Sequence, residues 1–158
     1  MSQKDTLSSV VLEYFESQHW HYEVKRNDND VFIATFGMNL KSRLSSCRVL
    51  VSVSNDDIQS FATCPIKAAP EAFPAVIEYI TRANFGLKVG KFEFDFRDGE
   101  VRYQSILNCS DGTPALRDVE RVVDMPFLML QRYGDGLLKN LMGYGFPEED
   151  IKEVEGPK

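Results

Sequence analysis

One α+β domain, with three helices packed on a twisted and mostly antiparallel sheet in the order α-ββ-ββ-α-ββ-α, is the fold class this sequence predicts. Three observations lead to it. Apolar residues recur at steps of three and four near the start, in the middle and towards the end of the chain, which is the spacing of a helix with one buried stripe. Between those stretches the step falls to two, in pairs of runs joined by clusters of Asn, Asp, Ser and Gly, the pattern of antiparallel hairpins. Finally, 158 residues that are 43% hydrophobic and 27% charged suffice for a single core, burying roughly two-thirds of the unfolded surface without disulfide or metal support.

The first helix is expected over residues 5–18. Asp5 or Thr6 caps it, and Leu7, Val10, Val11, Tyr14 and Phe15 form its stripe. From Trp20 the period is two, and Asn27-Asp28-Asn29-Asp30 interrupts the alternation before Val31 to Leu40 resumes it, giving a first hairpin. Cys47 to Val53 and Ile58 to Cys64 flank Ser54-Asn55-Asp56-Asp57, whose short polar side chains favour a tight turn and a second hairpin. Pro70 to Gly86 reads as a helix with prolines in its first turns, a stripe of Phe73, Val76, Ile77, Ile80 and Ala83, and Gly86 at its end.

The third hairpin has the clearest local signal. Phe92, Phe94 and Phe96 alternate with Glu93, Asp95 and Arg97, and Asp98-Gly99 predicts a two-residue turn. That turn sets Phe96 opposite Val101 and Phe94 opposite Tyr103, with Arg97 facing Glu100 and Asp95 facing Arg102, and sends the three phenylalanines beneath a helical layer. A last helical region opens near Pro114, is bent at Pro126, breaks at Gly134-Asp135-Gly136 and continues through Leu137, Leu138, Leu141 and Met142 to Gly143. Residues 1–146 form the single domain, and 147–158 are expected to be an acidic, flexible tail.

Eighteen basic against 24 acidic residues give a net charge of −6, so the phosphate attraction behind most nucleic-acid and anionic-membrane binding is missing. Neither class of partner is expected. Three cysteines without metal-ligand spacing suit a reducing compartment. No secretory leader or run of 18 apolar residues is visible, and a cytoplasmic location is expected.

Candidate chemistry is sparse. His19 and His21 can share one face of a strand, but two imidazoles do not make a metal site and no third ligand stands near. A two-residue loop at Asn55-Asp56 makes Cys47 and Cys64 direct cross-strand neighbours, a possible thiol switch, although Val49, Val51 and Val53 on the same face read as plain core. The carboxylates at Asp28/Asp30, Asp56/Asp57 and Glu148/Glu149/Asp150 fit solvated turns better than ion sites. No nucleophile elbow, phosphate-cradling loop or zinc cluster is present in the sequence, so neither enzymatic activity nor a cofactor is expected. What remains is surface. Leu50 and Phe61 point away from the valine face, and Phe32, Ala34 and Phe36 lie either with them or opposite. Leu50, Phe61, Phe32 and Phe36 are the candidate partner-binding residues, unless a helix covers that face as well.

The run Asn84-Phe85-Gly86-Leu87-Lys88-Val89-Gly90-Lys91-Phe92-Glu93-Phe94-Asp95, followed by Asp98-Gly99-Glu100-Val101-Arg102-Tyr103, resembles the YbjN-type domain family, described as bacterial sensory-transduction regulators. The match is specific over these twenty residues and looser over the flanking helices, while the N-terminal third agrees in pattern only. The resemblance implies a fold like that of type III secretion chaperones: small, acidic, frequently homodimeric, and holding a partly unfolded client by side-chain pockets and strand addition. Its motif residues look structural, with Asn84 placed to satisfy backbone groups at a helix end. The expected function is a non-enzymatic, homodimeric chaperone-like adaptor or regulator that binds another polypeptide. The alternative is a sensor holding a metabolite between the Phe92/Phe94/Phe96 stripe and the helices.

Overall fold

Ser2, not Asp5 or Thr6, caps the first helix of the computed structural model, which describes residues 2–156. The Ser2 hydroxyl accepts from Asp5 N–H at 3.1 Å and Asp5 Oδ2 accepts from Ser2 N–H at 3.4 Å, a reciprocal pair that moves the helix start to Gln3. The elements follow as α1 (Gln3–Ser17), β1 (Tyr22–Asn27), β2 (Phe32–Asn39), β3 (Ser46–Val53), β4 (Asp57–Thr63), one 3-10 turn (Pro70–Ala72), α2 (Phe73–Asn84), β5 (Lys91–Asp95), β6 (Glu100–Asn108), α3 (Leu116–Leu141) and α4 (Pro147–Glu155). The class is α+β, with four helices among the described residues where three were expected.

The six strands form one antiparallel sheet in the order β1-β2-β3-β4-β6-β5. The second hairpin has the register expected of a turn at Asn55-Asp56: Val53 faces Ile58 and Val49 faces Ala62. The third does not. Asp95 faces Glu100, Phe94 faces Val101 and Phe92 faces Tyr103, so the loop spans residues 96–99 and the ladder is shifted by two. A shift of two keeps each side chain on its face but moves it along the strand. Phe92 is therefore buried against Tyr103 and Tyr133, Phe94 is half-buried against Phe73, and Phe96 stands 70% exposed in the loop, contrary to three inward rings. Gly99 remains essential, at φ +81° with an ideal Cβ 2.1 Å from the Ala68 carbonyl oxygen.

Helix α3 is continuous through both Pro126 and the glycines at 134 and 136, where a break was expected. These glycines serve close approach. A Cβ on Gly134 would lie 2.6 Å from Ser42 Oγ, and one on Gly136 2.5 Å from Tyr79 Oη. The expected flexible tail is likewise a packed element over residues 147–155, because Pro147 starts a helix that buries Ile151 against the α2 and α3 side of the molecule. Asp150 accepts from Phe146 N–H at 2.8 Å and from Asn140 Nδ2 at 3.0 Å, and Tyr133 Oη donates to Glu155 at 2.6 Å. The part of the expected tail at residues 157 and 158 lies outside the described residues.

All helices lie on one side of the sheet. Phe15 of α1 meets Phe36 at 5.0 Å, Phe73 of α2 meets Phe94, and Ser60 and Ser105 donate from the sheet to the Val123 and Val122 carbonyls of α3. The core between the layers holds Leu7, Val11, Phe32, Val49, Val51, Ile58, Tyr103, Leu130 and Tyr133, all buried. At one edge of the sheet the β1 ladder is broken by a bulge between Val24 and Arg26.

Candidate functional site on the open face of the sheet

Alternation along the strands sends every second side chain to the face that carries no helix. The register orders these residues into ranks across the sheet. One runs Gly37, Arg48, Thr63, Arg102, Glu93; the next runs Glu23, Thr35, Leu50, Phe61, Gln104, Lys91; the third runs Arg26, Ile33, Ser52, Gln59, Ile106. Leu50 and Phe61 are direct neighbours at the centre, half-buried, with Ile33 half-buried and Ile106 54% exposed in the rank beside them. Adjacent ranks are about 6.8 Å apart and neighbouring strands about 4.8 Å, so Ile33 stands diagonal to Leu50 and Ile106 diagonal to Phe61, an apolar patch centred on the Leu50–Phe61 pair with Ser52 and Gln59 between the two isoleucines.

Charged groups frame it. The Arg102 guanidinium lies 4.3 Å from the centre of the Phe61 ring and donates to Glu93 at 2.9 Å. Arg48 donates to Thr35 Oγ1 at 3.2 Å and forms no ion pair among the described residues. Gly37, opposite Arg48, has nothing within 4 Å of where a Cβ would stand, which leaves a notch at that end of the face.

Of the expected partner-binding residues, Leu50 and Phe61 are brought together on this face. Phe32 and Phe36 are not: each is 2% exposed on the opposite side, opposite Val53 and Val49, within the core. The bulge affects β1 only, and the unbroken pairing of β2 with β3 fixes both rings inward. Their alternation with Ile33 and Thr35 was visible in the sequence, but which phase faced the helices was not.

The other candidates are scattered. His19 and His21 are both exposed and precede β1, His19 at φ 59° in the linker. Asp28 closes the first turn by accepting from Asp30 and Val31 N–H at 2.9 Å each, and the Arg26 guanidinium at 2.6 Å holds its carboxyl down at about 2. Among the described residues no three His, Cys, Asp or Glu side chains gather as a metal site. All three cysteines are buried free thiols; burial pushes Cys47 up to about 12, with Cys64 beside it adding to the rise, and Cys64 to about 11. Such thiols are poor nucleophiles at neutral pH.

Sequence reading missed a cleft of about 530 Å³ between the end of α2 and α4, lined by Arg82, Phe85, Ile151 and Lys152. Phe85 stands 81% exposed on its rim. The signal was available in Pro147, Ile151 and Val154, a helix start and a short apolar stripe obscured by the surrounding charges.

No protein-family model and no curated protein matches the chain. No helix among the described residues is long and apolar enough to cross a membrane.

Proposed function

We propose that this chain is a chaperone-like adaptor or regulator that binds another polypeptide across the open face of its sheet, as a cytoplasmic homodimer. The observation that carries this reading is the patch of Ile33, Leu50, Phe61 and Ile106 on a face without a helical cover. Contiguous apolar surface rimmed by polar groups is the usual mark of a protein contact. The resemblance of residues 84–103 to the YbjN-type family, with its secretion-chaperone-like fold, supports the same reading. Leu50 and Phe61 are the docking residues, and Arg48, lacking a carboxylate partner, favours an acidic group on the incoming chain.

The test is affinity capture from the protein's own cells with the wild-type chain and with Leu50→Thr/Phe61→Thr, substitutions that keep strand propensity while removing apolar area. A co-purifying polypeptide held by the wild type and lost by the double variant, at equal melting temperature and with a dimeric mass by light scattering, supports the reading. Equal retention by both, or recovery of the chain alone, overturns it.

The metabolite-sensor alternative has one observation in its favour. Away from the Phe92/Phe94/Phe96 stripe where such a site was expected, the cleft between α2 and α4 has the volume of an ordinary ligand site and mixes apolar walls with Arg82, Lys152 and the carboxylates of Glu148 and Glu155. A metabolite that raises the melting temperature of the wild type but not of Phe85→Ala, a change at an exposed rim residue, would move the assignment there.

A further inference from the structure

We propose that Cys47, Cys64 and Met38 form a binding site for copper(I) at the end of the β2, β3 and β4 strands. The three sulfur side chains stand abreast. Met38 is the direct partner of Cys47 in the ladder between β2 and β3. The ladder between β3 and β4 closes with Ser54 N–H donating to the Asp57 carbonyl at 2.9 Å, which makes residues 48 and 63 a hydrogen-bonded pair and the next position, Cys47 with Cys64, a non-hydrogen-bonded one. Cys64 agrees with that parity, since its N–H points away from β3 and donates to Val101 of β6 at 2.9 Å. Residues at such a position approach to about 4.5 Å between Cα atoms, the closest cross-strand spacing a sheet offers.

The sulfurs are buried yet not sealed. Cys47 and Cys64 keep 5% and 4% exposure, Met38 is half-buried, and all three line a cleft of about 410 Å³ that also takes in Arg48 and Thr63. The cleft lining includes no carboxylate and no imidazole, so it offers neither the charged oxygen ligands on which hard-cation sites are built nor the four-donor Cys/His shell of structural zinc. Two thiolates and a thioether are the soft donor set that selects copper(I). On binding, two S–H bonds release their protons to solvent and two S–Cu bonds form, with copper staying at +1. Arg48 borders the same cleft from the open face of the sheet, where its guanidinium donates to Thr35.

The experiment is anaerobic titration of the reduced full-length chain with copper(I) buffered by bathocuproine disulfonate, read by chelator competition and by native mass. One copper per chain is expected. Cys47→Ser or Cys64→Ser should weaken binding at least about 100-fold, because one of two charged ligands is gone, and Met38→Leu about tenfold. Cys109→Ser, which removes a buried thiol outside the cleft, should change nothing. If a serine variant melts below the assay temperature, Cys47→Ala replaces it. Copper that the folded wild type cannot take from the chelator, binding that survives loss of either cleft thiol, or binding that follows Cys109 would each overturn the proposal.

Discussion

Asn84 grips Phe92 by its backbone. Its Oδ1 accepts from Phe92 N–H at 2.7 Å and its Nδ2 donates to the Phe92 carbonyl at 3.0 Å, so the last residue of α2 imitates a neighbouring strand along the outer edge of β5. The expected role of Asn84, satisfying groups at a helix end, is thus transferred to a strand edge eight residues on. Losing both bonds should cost about 1–3 kcal/mol, since they are part-buried and leave a donor and an acceptor unmatched. Chemical denaturation of Asn84→Ala should show the midpoint fall at unchanged slope. A variant as stable as the wild type would mean that water replaces the amide without loss.

Two glycines make opposite predictions. Gly99→Ala puts a Cβ into the Ala68 backbone at positive φ, and should destabilise by more than about 2 kcal/mol. Gly37→Ala meets open space inside a strand and should be neutral or stabilise by up to about 1 kcal/mol. Thermal melts of the pair read the difference directly.

Ile151 tests whether residues 147–155 belong to the folded core. Its burial predicts a loss of about 2–5 kcal/mol for Ile151→Ala, whereas a solvated tail would lose nothing. Hydrogen exchange of the α4 amides should show protection lost in the variant.

Acid stability carries a signature of two turns. Asp28 is held at about 2 by Arg26 and then by the Val31 and Asp30 N–H groups, and Asp95 at about 2 by Arg97 and its backbone N–H. Because both lie below the ordinary value of 3.8, the folded state prefers their charged forms. Their contribution is complete above pH 3.8 and is lost as the pH falls towards about 2. In Asp28→Asn and Asp95→Asn, stability should therefore decline less steeply across that window, measured by denaturant midpoint at each pH. An unchanged slope would remove these carboxylates from the acid transition.

The second hairpin was legible because Ser54 to Asp57 supply local hydrogen bonds that fix a two-residue loop: Ser54 Oγ accepts from both Asp56 and Asp57 N–H. The third was legible in face but not in register. Asp98-Gly99 is a strong hairpin signal, yet Gly99 is required by Ala68, a residue far earlier in the chain that also donates its N–H to the Gly99 carbonyl. Gly134 and Gly136 misled for a related reason, since helix breakers and helix contacts use the same residue and only the partner, Ser42 or Tyr79, tells them apart. At the candidate site, Leu50 and Phe61 followed from hairpin geometry alone. Phe32 and Phe36 needed the pairing of β2 with β3, which no local pattern encodes.

Both borders of the sheet are guarded, by the bulge in β1 at one end and the Asn84 amide at the other. Further strands are thereby discouraged from lengthening the ribbon sideways. A polypeptide that docks on the sheet is left the broad approach, flat against the strands, where side chains rather than main-chain ladders decide what is accepted.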